Sequence, residues 1–179
     1  MEHELNNLLQ KVAVSLAAYL EKALPSLFED WWKQAVINNL SFQQQQRVEQ
    51  NNIRSLGRFD LAALLRVLDQ NWYQISTKLN LPSEARHFVK EMQTVRNRWA
   101  HANTEGFPVE DVYRDLDTLQ RFSAVIGADD ILLQEVRATK TALLAREMRS
   151  SGQGETIDPL PSQDTKKSGA EFEPGQIVY

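Results

Sequence analysis

The stretch FVKEMQTVRNRWAHA occupies residues 88–102, and its period decides the fold class. Projected at about 100° per residue, Phe88, Met92, Val95, Trp99 and Ala102 fall on one stripe, with spacings of 4, 3, 4 and 3. This is a helical period, so the stripe is the expected buried face of a helix over 82–103, with Trp99 in the core. A second stripe carries Arg86, Lys90, Asn97 and His101, with Thr94 between them. It is a basic, hydrogen-bonding strip that ends at a histidine. Asn97 and His101 stand at i and i+4, a spacing at which an amide can orient an imidazole. Arg96 stands apart, about 140° around and about 7.5 Å along an ideal helix from His101. On one ideal helix the two side chains do not aim at a single atom. Either the long arginine wraps round, or a second chain completes the site.

The flanking sequence is also helical in period. Leu5, Leu8, Leu9, Val12, Leu16, Tyr19 and Leu20 form an apolar stripe that Pro25 interrupts. The next segment, SLFEDWWKQAVINNL (26–40), places Leu27, Trp31, Ala35 and Leu40 inward. Ser41 with Gln44 offers a capping box for SFQQQQRVEQNN, which reads as a short polar helix or an extended turn. SLGRFD (55–60) is a break, and Asp60 is a good N-cap for a strongly apolar helix over LAALLRVLDQNWYQISTKL (61–79). Trp31, Trp32, Trp72 and Tyr73 can stack on bases but sit at core spacing, and core packing is the expectation. Pro82 and Ser83 start the helix of the opening stretch, and Gly106 and Pro108 end that region. Two further helices are expected over about 109–126 and 129–149, the second capped by Asp129. No alternating strand pattern is present. The fold class is therefore all-α, a bundle of about five to seven helices.

Residues 1–150 hold three glycines and three prolines, whereas residues 151–179 hold four and three. Such a segment buries too little apolar surface to offset its ordering entropy, so 151–179 is expected to be a disordered linker or tail following a domain at 1–150. Its apolar ending, GQIVY, suggests that the chain is the N-terminal piece of a longer protein. The tail carries five acids and two bases, leaving 18 bases and 19 acids in residues 1–150. The body is nearly neutral, and any anion site in it is local. The absence of cysteine excludes disulfides and thiolate metal sites and fits a reducing compartment. The sequence has no signal peptide and no membrane-length apolar run, and a cytoplasmic location is expected. Three scattered histidines, without a carboxylate–histidine pair at ligand spacing on the motif helix, argue against a metal site, and no cofactor is expected.

The residue types around 96–101 suit RNA cleavage without metal. A histidine can take a proton from a 2′-hydroxyl or give one to a leaving 5′-oxygen. An arginine can clamp the phosphate and stabilise the charge that grows on it. One histidine does not easily serve as base and acid in the same step, and a symmetric dimer would supply two. Six residues alone do not separate such a site from a surface or capping arrangement.

The ordered series LGRFDLAALLRVLDQNWYQIS, FVKEMQTVRNRWAH and VYRDLDTLQRFSAVIGA resembles the HEPN superfamily, most closely its Swt-type domains. The resemblance covers roughly 50–145 and leaves the role of residues 1–50 open. It carries the family's arginine, polar residue, variable stretch and histidine as Arg96, Asn97, then Arg98, Trp99 and Ala100, then His101. It implies a homodimer with both motifs in an interfacial cleft, and metal-independent endoribonuclease activity leaving a 2′,3′-cyclic phosphate. Arg96 would hold the phosphate, His101 would be the general acid/base, and Asn97 would orient His101 or the phosphate. Arg86, Lys90 and Arg98 are candidate RNA-backbone contacts. The resemblance also implies a setting in bacterial defence or a toxin–antitoxin system, with an ATPase or helicase-like partner downstream or separate. The alternative is a non-catalytic dimerisation or RNA-sensing module of such a larger protein.

Overall fold

The first helix, α1 (Glu2–Ala23), buries the predicted stripe, with Leu5, Val12, Leu16 and Leu20 fully enclosed and Leu9 and Tyr19 half-buried. The computed structural model describes residues 2–101 and 106–152, and among them there is no strand. Pro25 ends α1 as expected, because it supplies no N–H to continue the ladder; a short 3₁₀ turn (Leu24–Ser26) follows. Residues 32–36 then form a wide π-type turn and 37–39 a tight one. Trp31 and Trp32 pack edge to face there, with ring centroids 5.6 Å apart, and both are half-buried.

The capping box is realised at the start of α2 (Phe42–Gln50). The Ser41 hydroxyl accepts from the Gln44 N–H, and the Gln44 side chain accepts from the Ser41 N–H at 2.9 Å. Asp60 likewise caps α3 (Leu61–Gln70), its carboxylate accepting from the Ala63 N–H at 2.8 Å.

The single helix expected over 61–79 is two helices, α3 and α4 (Trp72–Leu79). The break lies at Asn71, whose side chain is buried and whose Nδ2 donates to the Ala35 carbonyl at 2.8 Å and the Val67 carbonyl at 2.7 Å. A carbonyl from a distant turn thus captures the amide. Tyr73, expected in the core, is exposed at the start of α4. A left-handed Asn80 (φ 50°) ends α4.

The motif helix, α5 (Ala85–Ala100), is shorter than the 82–103 expected: Pro82 and Ser83 form a lead-in turn, and the helical path stops at Ala100. Its buried face is Ala85, Val89, Met92, Val95 and Trp99, with Phe88 half-buried; Ala102 lies outside the described residues. The face is rotated slightly toward Val89 because α5 is gripped on both sides, by α3 and by α6 (Val109–Val125). The last helix, α7 (Asp130–Gly152), has its first turn capped by Asp129, which accepts from the Leu132 N–H at 2.8 Å. It runs to Gly152, beyond the expected end at 149. The segment expected to be a tail lies, from residue 153, outside the described residues.

Helices α1, α3, α5, α6 and α7 form a closed circuit of packed neighbours, and α1 also touches α6. Leu64, Leu65, Leu68, Met92, Leu116 and Phe122 fill the centre. The circuit fixes α5 between two partners and leaves its C-terminal turn at the edge of the bundle. Among the described residues no helix is long and apolar enough to cross a membrane.

Candidate functional site

Four arginine and lysine side chains project from α5, and the fold divides them. Arg86 and Lys90 both turn to Asp69 of α3, with Arg86 Nε 3.8 Å from Oδ1 and Lys90 Nζ hydrogen-bonded to Oδ2. Arg98 turns the other way and donates to both oxygens of Asp115 on α6, at 3.1 and 3.3 Å. Arg96 is half-buried and has no carboxylate partner among the described residues. Its Nη1 donates to the Asn97 Oδ1 at 3.3 Å, a neutral acceptor. Among the described residues the acids that line the grooves beside it, Asp69 and Asp60, are not within ion-pair distance of it.

Two grooves meet at Arg96. One, of about 350 Å³, lies between α3 and α5 and is lined by Gln44, Arg66, Gln70, Gln93 and Asn97 among others. The other, of about 530 Å³, lies toward α1 and the 56–61 segment and is lined by Asn6, Gln10, Phe59, Asp60, Trp99 and Ala100 among others. The guanidinium thus stands where a mostly polar groove meets a mostly apolar one, a position suited to an anion that carries an apolar group beside it.

His101 is exposed and caps the C-terminus of α5, with φ −119° and ψ 23°. Its backbone N–H donates to the Arg98 carbonyl at 3.2 Å. Among the described residues its imidazole has no hydrogen-bond partner, so both ring nitrogens are open to solvent. The expected Asn97–His101 hydrogen bond is not formed. The helix ends one residue before His101, which leaves the i, i+4 register, and the Asn97 amide oxygen is held by Arg96 instead. The structure therefore joins Arg96 and Asn97 by a hydrogen bond and sets His101 on the same helix end without a hydrogen bond to either. Arg98 faces a separate groove of about 600 Å³ between α5 and α6, away from Arg96. Among the described residues no group of three or more His, Asp or Glu side chains is arranged to hold a metal ion.

Asp115 was not singled out from the sequence, yet it anchors the motif. It is buried, and it accepts from the Trp99 Nε1 at 2.7 Å as well as from Arg98. Two residues of the variable stretch inside the motif are thus tied to one carboxylate. Burial pushes the Asp115 carboxyl above its ordinary value of 3.8; the Trp99 hydrogen bond and the Arg98 charge oppose this, and Asp111 adds to it. A signal for Asp115 exists in the sequence. It stands in phase with Val112, Leu119 and Phe122, an acid on an apolar stripe, and a buried indole N–H needs an acceptor.

A model of the Swt1-like HEPN family matches residues 7–127. The chain belongs to the Swt1-like HEPN family. The HEPN match begins at residue 7 rather than near 50, so α1 is part of the HEPN fold. The packing agrees, since α1 contributes fully buried leucines to the same core as α3, α5 and α6. All elements that position Arg96, Asn97 and His101 lie inside the matched HEPN segment. No curated protein and no solved structure shows a significant match to this HEPN chain.

Proposed function

We propose that the chain is a metal-independent HEPN endoribonuclease whose Arg96 and His101 act in the cleft of a homodimer. The observation that carries this reading is the division of charge on α5. Three of its four lysine and arginine side chains are matched by carboxylates, whereas among the described residues Arg96 has no ion-pair partner and is free to meet a phosphate, five positions before a histidine whose imidazole makes no hydrogen bond. One His101 removes the 2′-hydroxyl proton. The 2′-oxygen then forms a bond to phosphorus, the bond to the 5′-oxygen breaks, and a second histidine protonates that oxygen. The products are a 2′,3′-cyclic phosphate and a 5′-hydroxyl. Arg96 stabilises the charge on the phosphate oxygens, and Asn97 holds the guanidinium in place. The second histidine comes from the partner subunit, because this chain offers only one at the helix end. Arg86, Lys90 and Arg98, being ion-paired, serve RNA contact only if those pairs open. The biological setting of this reading is bacterial defence or a toxin-like system in the cytoplasm. A helical domain at 1–150 would be joined through 151–179 to an ATPase or helicase-like partner.

The test is RNA cleavage in EDTA by the parent chain, Arg96→Ala and His101→Ala, with the product ends identified and the dimer checked by sedimentation. Cyclic phosphate ends from the parent and none from either variant, with all three dimeric and equally folded, is the expected result. Cleavage by His101→Ala at the parent rate would end the assignment.

A second reading, a non-catalytic dimerisation or RNA-sensing module, is favoured by the near-neutral body and by the internal pairing of Arg86, Lys90 and Arg98. A free nuclease gains from a positive field that this chain lacks. Dimers that never cleave RNA and are harmless on overexpression would favour this module.

A further inference from the structure

The groove between α3 and α5 has a lining that phosphate binding alone does not require. Beside Arg96 and Asn97 it presents the amides of Gln44, Gln70 and Gln93 and the guanidinium of Arg66. Gln93 is half-buried and Gln70 exposed, and among the described residues neither amide has a hydrogen-bond partner. The Gln44 carbonyl oxygen is used by the capping box, and Arg66 Nε donates to the Asn39 carbonyl at 2.7 Å, which anchors that side chain. The one carboxylate in the lining, Asp69, is neutralised by Lys90 and Arg86. Ala62 and Leu65 supply an apolar floor. The Gln93 and Gln70 amides are both open to solvent and thus available to a ligand.

We propose that this groove is a base-reading subsite that takes one adenine next to the phosphate held by Arg96. The inference rests on the reading of Arg96 as a phosphate ligand of RNA. A volume of about 350 Å³ lies at the small end of ligand sites, enough for one splayed nucleotide and too little for a duplex. A glutamine amide offers a donor and an acceptor side by side, the pattern that matches the adenine N6 and N7 edge. Guanine is read best by an arginine fork, and Arg96 is assigned to phosphate. Arg66, exposed and held through its Nε by the Asn39 carbonyl, is the one fork in this lining that competes, so tighter guanylate than adenylate binding would also overturn the proposal. Gln93 stands three and four residues before Arg96 and Asn97, so it faces the same groove from one turn below. Gln93 and Gln70 are thus the specificity-determining residues.

The experiment measures binding of short single-stranded adenylate, guanylate, cytidylate and uridylate RNAs to the full chain carrying His101→Ala, so that no substrate is consumed. It is repeated with Gln93→Leu and Gln70→Leu added, each checked for an unchanged melting temperature. Adenylate is expected to bind at least about five-fold tighter than the others, and Gln93→Leu to erase the difference while leaving the weaker, base-independent affinity. Equal affinity for all four RNAs, no binding at all, or an adenine preference that survives both variants would overturn the proposal. Adenine-selective binding by a parent chain that never cleaves would keep the subsite and defeat the ribonuclease. Cleavage without any base preference would do the reverse.

Discussion

Asp115 shows how one side chain sets the energetics around the motif. It receives the Trp99 indole N–H and the Arg98 guanidinium inside the α5–α6 interface. Asp115→Ala leaves a buried N–H and a largely enclosed cation without an acceptor, and is expected to lower unfolding stability by about 2 kcal/mol in urea titrations. Its pH dependence follows from burial. The folded carboxyl holds its proton to a higher pH than the unfolded one, whose value is near 3.8. As pH rises above that value, the unfolded chain has released the proton while the folded chain retains it, so stability falls through this window and levels off above the folded value. Asp115→Asn cannot titrate. The stability of the parent relative to this variant is therefore expected to decline as pH is raised from about 4 toward neutrality. A rising difference would mean that Trp99 and Arg98 outweigh burial. Arg96 poses a different question at the same scale. Arg96→Lys keeps the charge but loses the planar fork, and is expected to cost about a hundred-fold in cleavage rate with no change in melting temperature.

Helix ends, more than helix interiors, decide how α5 is presented. The local signals were legible: Asp60, Asp129 and the Ser41–Gln44 pair each cap the helix that follows, because a cap involves atoms within three residues of one another. The break at Asn71 was not legible, since the Ala35 carbonyl that captures its amide lies in a different turn of the fold. Asn71→Ala is expected to destabilise by about 1–2 kcal/mol, as two buried carbonyls lose a donor. The turn between α6 and α7 is closed by Gly127 at φ 63°, with the Ala128 N–H donating to the Ser123 carbonyl at 2.9 Å. Gly127→Ala meets open space but carries the left-handed backbone cost, so a loss of about 1 kcal/mol in thermal or urea unfolding is expected.

Across residues 1–150 bases and acids are nearly equal in number, and among the described residues about half of the bases stand in ion pairs. The 18 bases and 19 acids of residues 1–150 include ion pairs that link α1 to α7 (Lys11–Glu135), α3 to α5 and α6 to α7 (Lys140–Asp117). The body offers an extended RNA strand no net excess of positive charge. RNA affinity is therefore expected to fall only shallowly with salt, with a slope matching about one or two released counterions per site. Affinity measured across a salt series checks this, and a steep slope would place a larger basic surface elsewhere, in the partner or outside residues 2–152. Past Leu143 every α7 side chain described, 144–150, is exposed, so this helix end adds nothing to the core, although Arg146 reaches Glu4 of α1 at 4.0 Å.

The sequence by itself determined the all-α class, most helix boundaries, and the burial of Met92, Val95 and Trp99, because period and capping are local properties of the chain. It also placed Arg96, Asn97 and His101 within six consecutive residues at one end of a helix. Only the tertiary structure decided which cations remain available. The sequence does not say which of these cations are ion-paired: packing brings Asp69 to Arg86 and Lys90 and Asp115 to Arg98, whereas among the described residues no carboxylate lies within ion-pair distance of Arg96. The same packing joined Gln44, Gln70 and Gln93, from three different helices, around Arg96. Such partners are far apart along the chain, and no periodicity records which helices will meet.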